Sequence, residues 1–269
     1  MLRIPLQKKS KIPLLGLGTW RLQGKECENV VKQALELGYR HIDTADIYDN
    51  HRAIANAIKS IPRNEIYLVS KLYLNNLTSE KVNLSIPRFL EELQTDYLDL
   101  LLIHWPHPTI APKITLKAML AFKNNGIVKA IGVSNFVRSH FKDLEEFNFP
   151  VVTNQIEMHA YLQRKELVRD CIKRGITITA YRPLAKGDFE TDPILQKIGK
   201  GYGKSSSQIV LRWLTQDIAV IPKAGKTEHL KANLEIFDFT LTDEDIKTIE
   251  SLDTGKRYCA PDVVPISND

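Results

Sequence analysis

The runs Tyr39-Arg-His-Ile-Asp43, Ile66-Tyr-Leu-Val-Ser-Lys71 and Tyr97-Leu-Asp-Leu-Leu-Leu-Ile-His104 are strand-like, and each closes on an ionisable residue. Their ends lie 28 and 33 residues apart. That is about the length of one strand, one helix and one return, as parallel strands require. Parallel strands end on one rim, so Asp43, Lys71 and His104 are expected to share a space, with Tyr48 just beyond the first of them. A carboxylate, a lysine, a phenol and an imidazole together point to proton transfer, the phenol's pKa being lowered by the neighbouring ammonium. Singly, each has a plain structural reading: Asp43 a cap, Lys71 a surface lysine, Tyr48 a loop aromatic, His104 a core histidine. Their convergence on one rim outweighs those readings. His41 shares a strand face with Asp43 and is assigned to packing and hydrogen bonding.

Outward from these runs, the pattern repeats. Strand-like segments at 14–17, 39–43, 66–71, 97–104, 130–134, 151–156, 176–181 and 218–221 alternate with amphipathic stretches at 27–37, 50–59, 79–93, 115–124, 138–147, 163–174 and 206–216. An extra helix is expected over 193–202, and helices over 227–234 and 242–252 close the chain. Gly38, Gly126 and Gly175 each stand at a helix stop shortly before a new strand. Thr242 with Asp245 three residues on reads as a capping-box start, so the acidic cluster there needs no catalytic reading. The expectation is an α/β fold, a (β/α)₈ TIM barrel in a single domain over 1–269, with its active site at the C-terminal ends of the strands. An open doubly wound sheet is the alternative, but Gly16-Leu-Gly-Thr-Trp does not continue as the Gly-x-Gly-x-x-Gly turn such a sheet carries.

Composition narrows the functional classes. A hydrophobic content of 43% in 269 residues suits a globular chain with a large core. No segment approaches the ~18 apolar residues of a membrane span and none resembles a signal peptide, so a cytoplasmic location without membrane attachment is expected. Cys27, Cys171 and Cys259 are scattered and read as free thiols. The net charge of +5 is spread along the chain, which argues against nucleic-acid binding yet suits an anionic small ligand. Gly199-Lys-Gly-Tyr-Gly-Lys-Ser imitates a phosphate loop, but Ile198 stands where that motif needs its first glycine; it reads as a turn between helices. His104-Trp-Pro-His107 lacks companion ligands, so no metal is expected and His107 is read as a loop residue.

The runs Gly16-Leu-Gly-Thr-Trp, Gly38-Tyr-Arg-His-Ile-Asp-Thr-Ala, Ser70-Lys, Ile103-His-Trp-Pro, Ile131-Gly-Val-Ser-Asn-Phe, Asn154-Gln-Ile-Glu and Ile221-Pro-Lys, in this order, resemble the aldo-keto reductase family over almost the whole chain. Short loops, Ile47-Tyr-Asp-Asn and a compact C-terminal tail are most similar to the bacterial 2,5-diketo-D-gluconate reductases, a group with broad aldehyde and α-dicarbonyl activity. The resemblance implies NADPH-dependent reduction of small polar or α-dicarbonyl aldehydes and ketones, 2,5-diketo-D-gluconate and methylglyoxal among them. It gives Tyr48 the role of general acid, Asp43 and Lys71 that of tuning it, and His104 that of orienting the carbonyl and helping to pass the proton. Ser134, Asn135 and Gln155 would bind the carboxamide of the nicotinamide, and Tyr181 would stack on its ring. Trp20, Tyr73 and Trp105 would form the substrate wall. Choice of substrate would lie in loop shape and in the tail over 257–264.

Departures from the family pattern bear on the cofactor. Lys223 and Lys226 keep positive charge for a 2′-phosphate, but His229 replaces the usual arginine, and Ala232-Asn233 stands for Glu-Asn near the adenine. NADPH preferred with NADH also used is therefore the expectation. Arg182 and His51 also depart from the family's usual residues. The rival function is a cofactor-binding regulatory or redox-sensing subunit on the same fold, since channel-associated subunits share it. A monomer is expected.

Overall fold

Residues 4–259 are described by a computed structural model. The period-two and period-3.6 patterns resolve into strands β1 (Leu17–Gly18), β2 (His41–Asp43), β3 (Tyr67–Leu72), β4 (Leu98–Ile103), β5 (Val128–Ser134), β6 (Val151–Glu157), β7 (Thr177–Tyr181) and β8 (Ala219–Ile221). The strands pair in parallel in chain order. The sheet closes on itself: Leu15 pairs in parallel with Val220, and the Gly16 and Gly18 amides donate to the Val220 and Pro222 carbonyls at 2.8 and 3.1 Å. This is the (β/α)₈ barrel expected from the sequence. Gly18 lies at the seam, where a Cβ would come within 2.7 Å of the Ile221 carbonyl oxygen.

The helices are α1 (Gly24–Leu37), α2 (His51–Ile58), α3 (Ser79–Leu93), α4 (Pro112–Asn124), α5 (Phe141–Glu146), α6 (Lys165–Lys173), α7 (Pro193–Tyr202), α8 (Ser206–Leu214), α9 (Thr227–Leu234) and α10 (Asp243–Glu250). α4 starts three residues before the expected 115, because Pro112 suits a first helical turn, where no amide donor is needed. The stretch 138–147 splits into a 3₁₀ turn over Arg138–His140 and the short α5. α6 starts two residues late, since Arg164 sits at φ 49°, left-handed, and the buried Gln163 side chain donates instead to the Ala160 and Ile249 carbonyls. The Thr242–Asp245 box caps α10 as expected. Gly203, at φ 64°, ends α7 and leads through Lys204 to Ser205, which caps α8. The false phosphate loop is therefore an interhelical turn.

Strand alternation fixes what fills the barrel. Val69, Leu100, Leu102 and Ala219 form one apolar cluster with Ile12, all fully or almost fully buried. Side chains two apart on a strand share a face, so the face of β3 carrying Val69 also carries Lys71, and the face of β4 carrying Leu100 and Leu102 leads on to His104. An aliphatic layer thus lies beneath a polar one, the layering expected of such barrels. Ile12 comes from a segment whose Leu6 and Pro13 form an antiparallel bridge, and Gln7 ties it to the Ile178 carbonyl at 2.7 Å.

Gly18→Val is expected to strain the β1–β8 seam, because both the strand and the carbonyl it would strike are backbone. A loss of about 1–3 kcal/mol is the usual scale for such overpacking. Urea denaturation should show a lower midpoint; an unchanged midpoint would mean that the seam opens without cost.

Candidate active site

The polar layer centres on Lys71 and Asp43, which are 0% and 2% exposed. Nζ of Lys71 donates to Oδ1 of Asp43 and, at 2.8 Å, to the Thr44 carbonyl. The remaining carboxylate oxygen, Oδ2, accepts from Nε2 of Gln155 at 2.8 Å. Burial lowers the Lys71 pKa while the Asp43 carboxylate opposes the shift. Tyr48 closes a 3₁₀ turn over Asp46–Tyr48, and its ring centre lies 5.1 Å from the Lys71 nitrogen. His104 directly follows β4, edge-on to Tyr48 and Tyr73 with ring centres 5.7 and 5.5 Å apart. All four expected residues therefore meet.

Their electrostatics differ from the sequence expectation in one respect. The Tyr48 phenol is pushed well above its ordinary value, by burial first and then by the Asp43 carboxylate, with Arg182 opposing. The expected lowering does not occur, because burial and the Asp43 carboxylate dominate at the phenol. A phenol held protonated is still a competent donor to an alkoxide, which is far more basic. His104 is held well below its ordinary value by burial and by Lys71, so its ring is neutral at pH 7. Its Nδ1 is buried without a hydrogen-bond partner among the described residues.

Above this floor lies a cleft of about 360 Å³. One wall joins Ser134, Asn135, Gln155 and Tyr181 from β5, β6 and β7 and the residues beside them. Ser134 Oγ donates to the Gln155 carbonyl at 2.7 Å, Asn135 Nδ2 to Ser134 Oγ and to the His104 carbonyl at 3.0 Å, and the Tyr181 hydroxyl to Asn135 Oδ1 at 2.8 Å. Trp20, Tyr73 and Trp105 line the same cleft, and Trp20 packs 4.9 Å from Tyr48.

Of the remaining candidates, Lys223 reaches the cleft wall, Lys226 precedes α9, and His229 is exposed on that helix. Asn233 is buried near Tyr39, whose hydroxyl donates to the Leu230 carbonyl at 3.1 Å.

Sequence reasoning assigned substrate choice to the tail over 257–264 but missed what holds that tail in the wall. Tyr258 and Cys259 belong to it, held by a buried carboxylate at the end of β6: Glu157 accepts from the Tyr258 amide at 2.7 Å and from the Cys259 amide at 2.9 Å. Glu157 and Tyr258 are 101 residues apart, and no local pattern marks the pairing. Residues 260–264 of the expected specificity segment lie outside the described residues. His51 proves to be a buried link, its ring nitrogens 2.8 Å from Glu92 Oε2 and 3.0 Å from Ser70 Oγ. The Ser–His–Glu order imitates a hydrolase triad, but Ser70 is fully buried. The link fastens α2 and α3 to the strand that carries Lys71.

Residues 14–254 match the sequence model of the Aldo/keto reductase family. The chain belongs to that family. It is 40% identical over 262 residues to an aldo-keto reductase of Mycolicibacterium smegmatis (strain ATCC 700084 / mc(2)155), covering 95% of this chain and 94% of that one. It is 38% identical to the methylglyoxal reductase DkgB of Escherichia coli O157:H7, covering 93% and 97%. Among solved structures, it is similar to MGS-M4, an aldo-keto reductase enzyme from a Medee basin deep-sea metagenome library, with TM-score 0.91, 40% identity and coverage of 94% and 96%. A structure ascribed to a 2,5-diketo-D-gluconic acid reductase B superposes with TM-score 0.93 at 34% identity, covering 98% and 97%. This aldo-keto reductase is accordingly an oxidoreductase acting on carbonyl groups.

Asp43→Asn removes the carboxylate that holds the Tyr48 phenol up, so the Tyr48 titration should move to lower pH. Tyrosinate absorbance of Asp43→Asn minus that of Asp43→Asn/Tyr48→Phe isolates the group. An unmoved or rising titration would show that burial alone sets its pKa.

Proposed function

We propose that the protein reduces small polar or α-dicarbonyl aldehydes and ketones with NADPH, Tyr48 delivering the proton. The carrying observation is that Tyr48 and His104 stand in one cleft wall directly over the buried Lys71–Asp43 pair. In this reading the carbonyl oxygen lies between the phenol and the imidazole. Neutral His104 orients that oxygen through a ring N–H, without competing as an acid. Tyr48 gives up its proton as charge builds on the oxygen, and the Lys71–Asp43 pair fixes the field in which the phenolate forms.

The amides and hydroxyls of Ser134, Asn135 and Gln155 offer both donors and acceptors along one wall, which fits a carboxamide, and Tyr181 adds an aromatic face. When bound there, the nicotinamide supplies the hydride. Lys223 and Lys226 would meet a 2′-phosphate, with His229 in the arginine's place and Asn233 toward the adenine end.

The phenol's raised pKa and the imidazole's lowered one set the pH dependence. The donor form of Tyr48 exists below its pKa, so reduction loses it only on the alkaline side; neutral His104 exists above its own pKa. The rate of reduction should therefore stay flat from about pH 7 to about pH 9. A fall centred near the ordinary histidine value would sink the neutral-imidazole assignment.

Tyr48→Phe should retain NADPH binding while carbonyl turnover falls by about 10²- to 10⁴-fold, the scale of positioned acid catalysis. NADPH oxidation with methylglyoxal or a nitrobenzaldehyde measures it. A variant keeping more than about a third of wild-type kcat rules Tyr48 out as the acid. Binding of NADPH without turnover by the wild type would favour the regulatory-subunit alternative.

Replacement of the guanidinium by His229 should leave NADPH preferred but NADH measurably used, the preference being lower by about one to two decades. His229→Arg should sharpen it. Dissociation constants for both cofactors decide the point: a wild-type preference above about a thousandfold would place the 2′-phosphate on other residues.

A further inference from the structure

Arg182 directly follows β7, beside Tyr181, and lines the cleft. Its backbone is held at φ 50°, a left-handed conformation that a non-glycine residue keeps only when its surroundings fix it. One such constraint is visible: Nη1 donates to the Tyr258 carbonyl at 2.6 Å, tying the rim of β7 to the tail.

That bond uses little of the side chain. A guanidinium has five N–H donors in a planar fork, and a carbonyl oxygen satisfies one here. No carboxylate among the described residues pairs with Arg182. Neighbouring carboxylates are engaged elsewhere. Glu157 accepts from the Tyr258 and Cys259 amides, and Asp188 from Lys256 and the Tyr258 hydroxyl. A permanently charged fork therefore stands half-buried in the wall of the catalytic cleft with no carboxylate partner among the described residues. Burial raises the pKa values of the Tyr48 phenol and the Cys259 thiol, and the same guanidinium opposes both rises, so its field reaches the Tyr48 end of the cleft.

We propose that Arg182 is the specificity residue of this cleft, pairing with the carboxylate of an oxo-acid substrate, so that the enzyme prefers carbonyl compounds bearing a carboxylate over neutral ones. The inference rests on the carbonyl-reductase reading and deepens it. Guanidinium and carboxylate match as a two-pronged pair, which a lysine or an amide does not reproduce. The other oxyanion that could enter is the cofactor's diphosphate. Two observations favour the substrate: Arg182 is tied to Tyr258, whose neighbour Cys259 shares the cleft with Tyr48, and its field acts on the reacting phenol.

The test uses two aromatic aldehydes of similar size, 4-carboxybenzaldehyde and 4-nitrobenzaldehyde, with wild type, Arg182→Met and Arg182→Lys. Wild type should favour the carboxylate in kcat/KM. Arg182→Met should lower the carboxylate-to-nitro ratio by about 10- to 100-fold, chiefly through KM, as for a lost charge-assisted hydrogen bond. Arg182→Lys should restore part of the ratio, which a purely structural role would not. NADPH dissociation constants, read from tryptophan quenching, complete the experiment. A ratio unchanged in Arg182→Met, or a ratio unchanged with NADPH binding weakened tenfold or more, overturns the assignment; the second places the guanidinium on the diphosphate. A wild type that reduces both aldehydes without preference overturns the Arg182 assignment alone. One that reduces neither defeats the reductase reading itself.

Discussion

A lysine and an aspartate stripped of water at the centre of the barrel are the constraint on which the rest of the structure depends. Each charge alone would be strongly disfavoured there, and removing one partner of such a pair typically costs about 3–5 kcal/mol. The remaining hydrogen-bonding capacity is met with equal economy, Thr44 taking a second ammonium proton and Gln155 the second carboxylate oxygen. Three strands must therefore hold their register together: β2 for Asp43, β3 for Lys71 and β6 for Gln155. A one-residue slip in β3 would turn Lys71 out of the barrel and Ser70 into it.

The same pair decides how the cleft handles protons. Burial and the Asp43 carboxylate push Tyr48 up, and burial with Lys71 pushes His104 down. Two titratable groups are thus moved apart, the phenol held protonated and the imidazole neutral. That separation is what an acid-assisted carbonyl reduction needs at neutral pH.

The rim is assembled with a different logic. Glu157 spends a buried carboxylate on two tail amides, and Arg182 spends one donor on a tail carbonyl. These contacts bring Tyr258 and Cys259 into a cleft whose floor was laid by the strands. The buried ion pair thus rests on the sheet, while the outer wall rests on hydrogen bonds to the tail.

The barrel and its four central residues were legible in the sequence, because strand alternation is local: apolar runs ending in Asp43, Lys71 and His104, spaced by one helix each, leave few arrangements other than a shared rim. Helix starts were less legible where one residue's backbone or side chain overrode the pattern, as at Arg164, Gln163 and Pro112. The direction of the Tyr48 pKa shift was not legible at all. It depends on how deeply the phenol is buried and on how near the Asp43 carboxylate lies to it, and only the fold sets both. The Glu157 clamp on the tail and the Arg182 bond to the Tyr258 carbonyl were likewise decided only by tertiary structure. They join segments tens of residues apart through single hydrogen bonds, and such bonds leave no periodic trace in the chain.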